Sequence, residues 1–371
     1  MKYAWRVARI FGIDIRIDSS WIVIFALFSW FLAGNYFPTG YPGWPTTLYW
    51  ALGFLTSLLV FASVLVHELA HSLVAIKQGE KVHSITLFIL GGVAQISEEP
   101  EEPLKEFAMA VVGPLASFGL AGVFLVISFL LHSLSAPLSA SAGYLALINV
   151  ALGIFNLLPG FPMDGGRVFR SIIWKITGDL KKATRIASLT GQGFAFLLIF
   201  FGILRLLRAD FGGLWFILIG WFLHNAAARG YQNVMVQSAL EGLKARDLMN
   251  RDFETVRADL PVQSLVDDYI LKRKERVFMV TDGDGLEGIV CLEDVKRTPR
   301  EKWAGAVVRD IMTPKAELRS VGLDDDGKAI LSSLTSKNVH QVPVMDGGRV
   351  AGIICRTDIL KVLQLRSELG V

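Results

Sequence analysis

Cysteine is scarce in this chain: it has two, Cys291 and Cys355, and both lie in its last third. Two cysteines cannot build the disulfide framework of a small secreted protein, so a reducing compartment is expected. The chain also lacks a tract rich in lysine or arginine, and its net charge is only +3. The composition therefore gives no indication of a nucleic-acid partner. The first thirty residues lack the basic, apolar and small-residue succession of a cleavable signal peptide, so we expect the amino terminus to be retained.

Charge is sparse in the first 230 residues and dense afterwards. Of the 37 Lys and Arg and 34 Asp and Glu, most follow residue 230, although that part is well under half of the chain. Such a shift is expected where a bilayer-embedded part gives way to a water-soluble one. We therefore expect a transmembrane domain at 1–230, a linker at 231–243 and soluble domains after it.

Apolar stretches in the first part are long enough to cross a membrane. Six are expected, at about 19–33, 47–76, 107–131, 142–158, 186–207 and 211–228. Lysine and arginine occur before the first span and after the second and fourth, and are absent from 34–46 and 132–141. This alternation predicts a multi-pass protein of the cell membrane with both termini in the cytoplasm.

Two short segments of the membrane part have the pattern of strands. Ile13, Ile15 and Ile17 alternate with charged residues, which indicates a short strand at the membrane surface. Residues 82–96 are rich in β-branched side chains and contain Gly91-Gly92, which indicates a hairpin or a sheet edge.

The second span contains the motif His67-Glu68-x-x-His71. Histidines four apart on a helix project from one face, so both imidazoles can reach one metal ion, with Glu68 placed to take a proton from a metal-bound water. The preceding run 48–66 has no charged residue, and a carboxylate there costs a few kcal/mol unless it faces a wet cavity. The motif therefore predicts hydrolytic zinc chemistry inside the membrane.

A catalytic zinc site normally needs a third protein ligand. Asp164 is the best candidate, because it lies in a proline-rich and glycine-rich turn at the end of the fourth span. An isolated histidine, at His83, His132 or His224, is the competing choice. From local sequence alone Asp164 is equally well explained as a turn residue before glycine.

The His-Glu-Leu-Ala-His sequence of 67–71, together with Asn156-x-x-Pro159-x-x-Pro162-x-Asp164-Gly165, resembles the site-2 protease family of intramembrane zinc metalloproteases over about 1–230. The resemblance implies that His67, His71 and Asp164 bind one Zn²⁺ per chain and that Glu68 activates the water. It also implies that Asn156 polarises the scissile carbonyl or holds its oxyanion.

Two further segments resemble parts of the same family. The stretch Gly91-Gly92-Val93 is similar to a membrane-dipping strand that pairs with an unwound substrate, and Gly113-Pro114 resembles a glycine-proline pair of the third span. Physical reasoning agrees with this role, because a peptide bond in a transmembrane helix must lose its own hydrogen bonds before hydrolysis. A strand edge offers those backbone groups a new partner.

The soluble part contains an internal repeat. Residues 280–295 align without gaps with residues 344–359, and residues 246–249 are similar to 309–312. Each unit is expected to contain an entry segment, a helix, two strands and a closing helix. The repeat resembles a pair of CBS domains, which commonly bind adenine nucleotides in the clefts between them, and we place these at 244–304 and 305–371.

The nucleotide site of this pair departs from the family pattern. CBS domains have a Ser or Thr three residues before a helix-starting aspartate, whereas Cys291 and Cys355 precede Asp294 and Asp358 here. Either aspartate could accept hydrogen bonds from the ribose of ATP, ADP or AMP, but a thiol is a weaker donor than a hydroxyl. Two roles are therefore open, nucleotide binding and dimerisation into a homodimer.

Together these patterns predict a polytopic α-helical membrane protein with about six transmembrane helices, a small membrane-associated β element and a C-terminal α/β tandem CBS domain. The predicted activity is intramembrane zinc endopeptidase action on a single-pass membrane protein substrate, controlled from the cytoplasmic CBS pair. The alternative is a CBS-gated transporter or another non-hydrolytic zinc membrane protein. A transporter needs the metal ligands but not the base, so Glu68 discriminates between the two.

Overall fold

The computed structural model describes residues 4–89, 91–96, 102–273, 275–282, 285–336, 341–347 and 349–369. The chain divides into two compact units, Met1–Val234 and Met235–Val371. Each unit is described by itself.

Long apolar helices dominate the first unit. The helices are α1 Ser19–Phe31, continued by a π-helical turn Leu32–Tyr36 into α2 Phe37–Gly40, then α3 Thr46–Lys77, α4 Pro103–Leu131, α5 Ala136–Asn156, α6 Asp164–Thr177, α7 Leu180–Leu207 and α8 Gly213–Ala239. Within the described residues, five helical segments are long and apolar enough to cross a membrane: 19–40, 46–77, 103–131, 136–156 and 180–207.

The five segments correspond to the first five expected spans, and most of them extend beyond the apolar stretch that predicted them. The sixth expected span, 211–228, overlaps α8, which is helical but is not among the five. This helix carries His224, Asn225 and Arg229, which lower its mean hydropathy. The α-helical membrane fold is thus confirmed, with five clear spans in the part of the chain that the structure describes.

A four-stranded sheet accompanies the helices. Its strands are β1 Ala4–Ile10, β2 Ile13–Asp18, β3 Val82–Phe88 and β4 Gly91–Ile96, in the order β1-β2-β3-β4. The pair β2 and β3 is parallel, and the other two pairs are antiparallel. Ile13, Ile15 and Ile85 are buried against Leu65 and Leu69 of α3, so the alternating isoleucines form the buried face of a strand as predicted.

Polar side chains join the helices of the first unit. The Asn149 amide of α5 donates to Ser63 Oγ of α3 at 3.1 Å, and Ser139 Oγ donates to the Ser128 carbonyl of α4 at 2.9 Å. In a bilayer, where lipid tails offer no hydrophobic drive for helix association, such hydrogen bonds and close packing hold helices together. These bonds hold α5 against both α3 and α4.

The second unit consists of two small α/β modules. One sheet has the order β5-β6-β7-β8 and the other β11-β10-β9. The strands are β5 Thr255–Arg257, β6 Val277–Asp282, β7 Gly285–Cys291, β8 Thr313–Pro314, β9 Val321–Gly322, β10 Gln341–Asp346 and β11 Arg349–Cys355. The helices are α9 Ala245–Leu248, α10 Val262–Ser264 with the π turn Leu265–Ile270, α11 Leu271–Arg273, α12 Leu292–Arg297, α13 Val308–Ile311, α14 Gly327–Ser336 and α15 Arg356–Leu369.

The entry segments of the two repeats are exchanged. Asn250, which follows α9, exchanges two backbone hydrogen bonds with Ile353 of the second sheet, at 2.8 and 3.0 Å. Thr313, which follows α13, pairs with Ile289 of the first sheet. Leu248 accordingly lies in the second module's core and Val308 in the first's. Each core therefore needs residues from both repeats, which makes the pair one folding unit.

Candidate metal centre

Three candidate ligands converge within the helices of the first unit. His67 Nε2 and His71 Nε2, one turn apart on α3, lie 3.2 Å from each other. Asp164 Oδ2, from the first residue of α6, lies 3.0 Å from His67 Nε2 and 3.1 Å from His71 Nε2. Both histidines are buried and Asp164 is half-buried. The structure thus brings together the histidine pair and the carboxylate expected from the sequence.

The geometry of the three atoms fits a zinc ion. Ligands about 2.0–2.1 Å from a tetrahedral zinc ion lie about 3.3 Å from one another. The observed separations of 3.0, 3.1 and 3.2 Å are close to that edge length. Two imidazole nitrogens and one carboxylate oxygen are also a typical donor set for catalytic zinc.

Partners on α4 fix the orientation of both imidazole rings. His71 Nδ1 donates to the Met109 carbonyl at 2.7 Å, which leaves the Nε2 lone pair free to bind a metal ion. His67 Nδ1 lies 2.9 Å from Ser117 Oγ. Such outer contacts set the tautomer and the ring angle of metal-binding histidines. Neither Ser117 nor Met109 is marked by any sequence pattern, because both contacts cross more than thirty residues.

Gly113 of α4 lies directly against the open side of the two rings. A Cβ at this position would collide with His71 Nε2 and would come within 2.8 Å of His67 Nε2. Only glycine allows α4 to approach the two nitrogens this closely. The absence of a side chain at Gly113 therefore preserves space beside the converging ligands.

Glu68 lies between the histidine pair and the sheet. A Cβ on Gly92 of β4 would be 2.5 Å from Glu68 Cγ and 3.2 Å from Glu68 Oε1. The backbone of β4 thus passes directly over this carboxylate. Among the described strands β4 is at the edge of the sheet, and Gly91, Gly92 and Val93 pair on one side only, with Phe88, Leu87 and Thr86. The expected base and the expected substrate-binding strand are therefore adjacent.

Asn156 is the last residue of α5 and is half-buried. It follows Asn149 by seven residues, so it lies on the same helix face about two turns further along. Asn149 contacts Ser63, and His67 and His71 follow Ser63 by one and two turns on α3. This register places Asn156 at the level of the histidines. Within the described residues its side chain makes no protein hydrogen bond.

A buried ion pair positions the helix that carries Asp164. Glu106 of α4 is fully buried and pairs with Arg170 of α6, whose Nε donates at 2.7 Å. The Arg167 guanidinium lies 3.7 Å from the same carboxylate oxygen. The Arg170 guanidinium also stacks over the Phe161 ring, at 5.0 Å from its centroid. The pair thereby ties α6 and the preceding turn to α4, which also holds the partners of both histidines.

The competing histidines lie elsewhere. His83 belongs to β3, His132 follows the last residue of α4, and His224 of α8 packs on Phe196. Among the described residues, only His67, His71 and Asp164 form a group of three or more His, Cys, Asp and Glu side chains that could hold one ion.

In the second unit, each expected nucleotide ligand caps a helix. Asp294 Oδ2 accepts from the Cys291 backbone N–H at 2.9 Å and from its thiol at 2.8 Å. Asp358 Oδ2 accepts from the Cys355 backbone N–H at 3.1 Å. Burial and the neighbouring aspartate raise the pKa of the Cys291 thiol to about 11 and that of Cys355 to about 12. Both cysteines therefore remain neutral thiols near pH 7.

Three side chains that could hold one metal ion, beside a carboxylate and set within apolar helices, are typical of membrane-embedded hydrolytic metalloenzymes. The comparisons with known proteins agree with this class. The description "Peptidase family M50" matches residues 55–137 and 132–200, and "CBS domain" matches 245–301 and 308–365.

Relatives match along almost the whole chain. The protein sll0528 of Synechocystis sp. is 36% identical over 97% of this chain and 95% of its own length. The zinc metalloprotease MJ0392 of Methanocaldococcus jannaschii is 32% identical over 100% of this chain and 99% of its own. A solved site-2 protease structure from the same archaeon is 31% identical, covers 62% of this chain and 95% of that one, and gives a TM-score of 0.44.

The chain therefore belongs to peptidase family M50 and is a multi-pass zinc metalloprotease with a C-terminal pair of CBS domains.

Proposed function

We propose that this metalloprotease hydrolyses a peptide bond within the transmembrane segment of a single-pass membrane protein. The convergence of His67, His71 and Asp164 beside Glu68, inside an apolar span, is the observation that supports this activity. The role of each residue follows from its position. A zinc ion held by these three ligands would polarise the scissile carbonyl and lower the pKa of water.

Glu68 is the proposed general base. It takes the proton from the attacking water and later delivers it to the leaving amine. Asn156 is the proposed donor to the oxyanion that develops on the carbonyl, and among the described residues its side chain has no protein hydrogen bond that would compete. Base catalysis is thus assigned to Glu68, and charge stabilisation to Asn156 and to the metal ion that the three ligands would hold.

Strand β4 is the proposed docking site for the unwound substrate. A transmembrane helix must open before its backbone can be cut, and the released N–H and C=O groups need partners inside the membrane. The edge of β4 offers such groups, and Gly92 lies directly against Glu68. A substrate strand added at this edge would run past the catalytic base.

The test is a pair of variants in the purified full chain, reconstituted with a membrane-helix substrate. Glu68→Gln keeps the size of the side chain but removes the base, so zinc content should stay near one per chain while cleavage falls at least about a hundredfold. Near-normal cleavage would refute the assignment. A transporter should tolerate Glu68→Gln, because transport needs no base.

Asn156→Ala tests the oxyanion role separately. Loss of one donor should lower the turnover number by about a hundredfold to a thousandfold, with zinc retained. An unchanged rate would reduce Asn156 to a helix-end or packing role. Substrates can then be sought as membrane proteins that accumulate uncleaved in a Glu68→Gln strain.

We propose that both termini and the CBS pair lie in the cytoplasm, as the distribution of basic loops indicates. We further propose that ATP, ADP or AMP binds the pair at Asp294 or Asp358, since each carboxylate has one oxygen outside its helix-capping bonds. A nucleotide controls cleavage only if it binds two arrangements of the pair with different affinity.

Calorimetry on the fragment 235–371 tests nucleotide binding. The fragment should begin before Leu240, because this residue is fully buried in the second module's core. Heat of binding that is lost in Asp294→Ala or Asp358→Ala supports the proposal. No heat with any adenine nucleotide at millimolar concentration leaves homodimerisation as the role of the pair, which sedimentation of the same fragment measures.

A further inference from the structure

The amino-terminal hairpin forms a basic hollow where two membrane spans end. The hollow has a volume of about 490 Å³ and is lined by the β1–β2 turn and by residues that follow α3. Helix α1 begins at Ser19, directly after β2, and α3 ends at Lys77. The hollow is therefore at the depth where apolar helices emerge from the bilayer, which is the headgroup region.

Its lining carries more positive than negative charge. Arg6, Arg9 and Lys81 line it together with the carboxylates of Asp14 and Glu80. Three cations against two anions leave a net charge of about +1, enough to balance one phosphodiester. Arg16, which does not line the hollow, lies 3.7 Å from the other Asp14 oxygen and adds a further positive charge nearby.

Arg6 and Arg9 have N–H donors that are not used in hydrogen bonds within the described residues. Arg6 and Arg9 lie 3.6 and 3.9 Å from Asp14, which is beyond hydrogen-bond distance. Within the described residues Arg6 makes no hydrogen bond, and Arg9 makes one, from Nε to the Gly12 carbonyl at 3.2 Å. A guanidinium has five N–H donors in a planar fork that matches a phosphate group. These two side chains can therefore bind an anion without breaking an existing bond.

Exposed apolar side chains are present on the same hairpin and on the end of α3, and Phe11 and Ile76 among them line the hollow. Trp5, Val7 and Phe11 of the hairpin are 55%, 63% and 70% exposed. Leu73 and Ile76, three residues apart on α3, are also exposed and lead away from the hollow along the span. Exposed aromatic side chains are typical of the membrane interface, and an acyl chain fits along such an apolar helix face.

We propose that this hollow binds the headgroup of an anionic phospholipid, with Arg6 and Arg9 on the phosphate and an acyl chain along Leu73 and Ile76. The bound lipid would fix the hairpin, and with it β2, to the membrane surface. Strand β2 pairs with β3, which pairs with β4 over Glu68. A lipid at this site therefore supports the sheet that faces the candidate metal centre.

The experiment uses the purified full chain in detergent, supplied with equal amounts of phosphatidylglycerol and phosphatidylcholine. Native mass spectrometry should show phosphatidylglycerol retained over phosphatidylcholine by about tenfold or more. Arg6→Gln/Arg9→Gln should remove most of this preference. Lys181→Gln/Lys182→Gln, which removes two exposed charges from the start of α7, should leave it unchanged. Equal loss in both double variants would mean diffuse surface attraction and would overturn the site.

Two further measurements separate the lipid site from misfolding and from a soluble anion. Zinc content near one per chain in Arg6→Gln/Arg9→Gln shows that the variant is folded, and the unfolding temperature of the unaltered chain should rise with phosphatidylglycerol more than with phosphatidylcholine. Displacement of the lipid by millimolar inorganic phosphate would assign the hollow to a soluble anion instead. No preference in the unaltered chain would refute the proposal directly.

Discussion

The two units of this chain place polar and apolar side chains in opposite ways. In the described residues, every buried polar or charged side chain belongs to the first unit, from Ser29 to Ser188. Within the described part of the second unit, only Met235 and Leu271 are exposed large apolar side chains, whereas the first unit exposes dozens. The first unit is therefore built for a solvent of lipid tails, and the second for water.

This contrast determines where chemistry is possible in each unit. Burying a polar group without a partner is costly, and in the first unit His67, His71, Ser117 and Glu106 are each bound by a group on another helix. In the second unit Asp294 and Asp358 bond to residues three positions earlier in the chain, and most ion pairs are exposed. The contacts of these first-unit side chains lie around His67, His71 and Asp164, whereas the contacts of Asp294 and Asp358 stabilise the starts of their own helices.

The largest expected effect is the loss of a metal ligand. Asp164→Ala should lower zinc affinity by at least about a hundredfold, since even outer partners of metal ligands contribute tenfold to a hundredfold. Zinc per chain, measured after dialysis against a weak chelator, gives the result. Asp294→Ala is the matched control, because it removes an aspartate from a helix start in the other unit and should retain zinc. Full occupancy in Asp164→Ala would exclude that carboxylate from the site.

Next in size is the buried ion pair. Arg170→Ala removes the hydrogen-bonded partner of the buried Glu106 carboxylate and leaves it only Arg167, at 3.7 Å, so the free energy of unfolding of the membrane unit should fall by about 3 kcal/mol. Denaturation in mixed detergent micelles measures it. Arg257→Ala, which breaks the exposed pair with Asp259, should leave stability unchanged. Equal losses of stability in the two variants would mean that a buried ion pair of the first unit contributes no more than an exposed ion pair of the second.

A smaller effect is expected at the glycine beside the histidines. Gly113→Ala should weaken zinc binding by about tenfold to a hundredfold, because the added methyl group collides with the two Nε2 atoms and displaces their outer contacts. Gly119→Ala is the control on the same helix, where an added Cβ meets nothing within 4 Å. Equal zinc binding by the two variants would mean that Gly113 of α4 does not lie against the His67 and His71 rings.

The smallest effect concerns the thiols of the second unit. With their pKa raised to about 11 and about 12, Cys291 and Cys355 should react with iodoacetamide at pH 8 more slowly than an ordinary thiol, by a factor of at least about ten. The pKa of the Cys291 thiol is higher in the folded chain than the value of 9.0 expected in the unfolded chain. The neutral thiol therefore contributes its full stabilisation of the folded state below pH 9, and this stabilisation is lost as the pH rises through about 11.

Mass spectrometry resolves the two sites, since the chain has no other cysteine. Asp294→Asn removes the negative charge beside Cys291 and should accelerate that thiol while leaving Cys355 unchanged. Reaction of both thiols at the rate of a free thiol would show that the capping contacts do not form in solution.

Much of this architecture is evident from local sequence. Apolar stretches predict the spans, the alternation at 13–18 predicts β2, and the β-branched run at 82–96 predicts the β3–β4 hairpin. Each of these patterns repeats over a few neighbouring residues. In a helix or a strand, residues at such a regular spacing lie on the same face of the element. The four-residue spacing of His67 and His71 likewise determines that both imidazoles project from one side of α3.

The tertiary structure decided the features that depend on distant residues. Asp164 lies 97 positions after His67, and local sequence explains it equally well as a turn residue; packing of α6 through Glu106 and Arg170 brings its carboxylate to the histidines. Ser117 and Met109 have no local signal, and the exchange of the CBS entry segments cannot be read from the spacing of the repeats. Local periodicity fixes which face of an element is buried, but only packing between elements determines which side chains meet there.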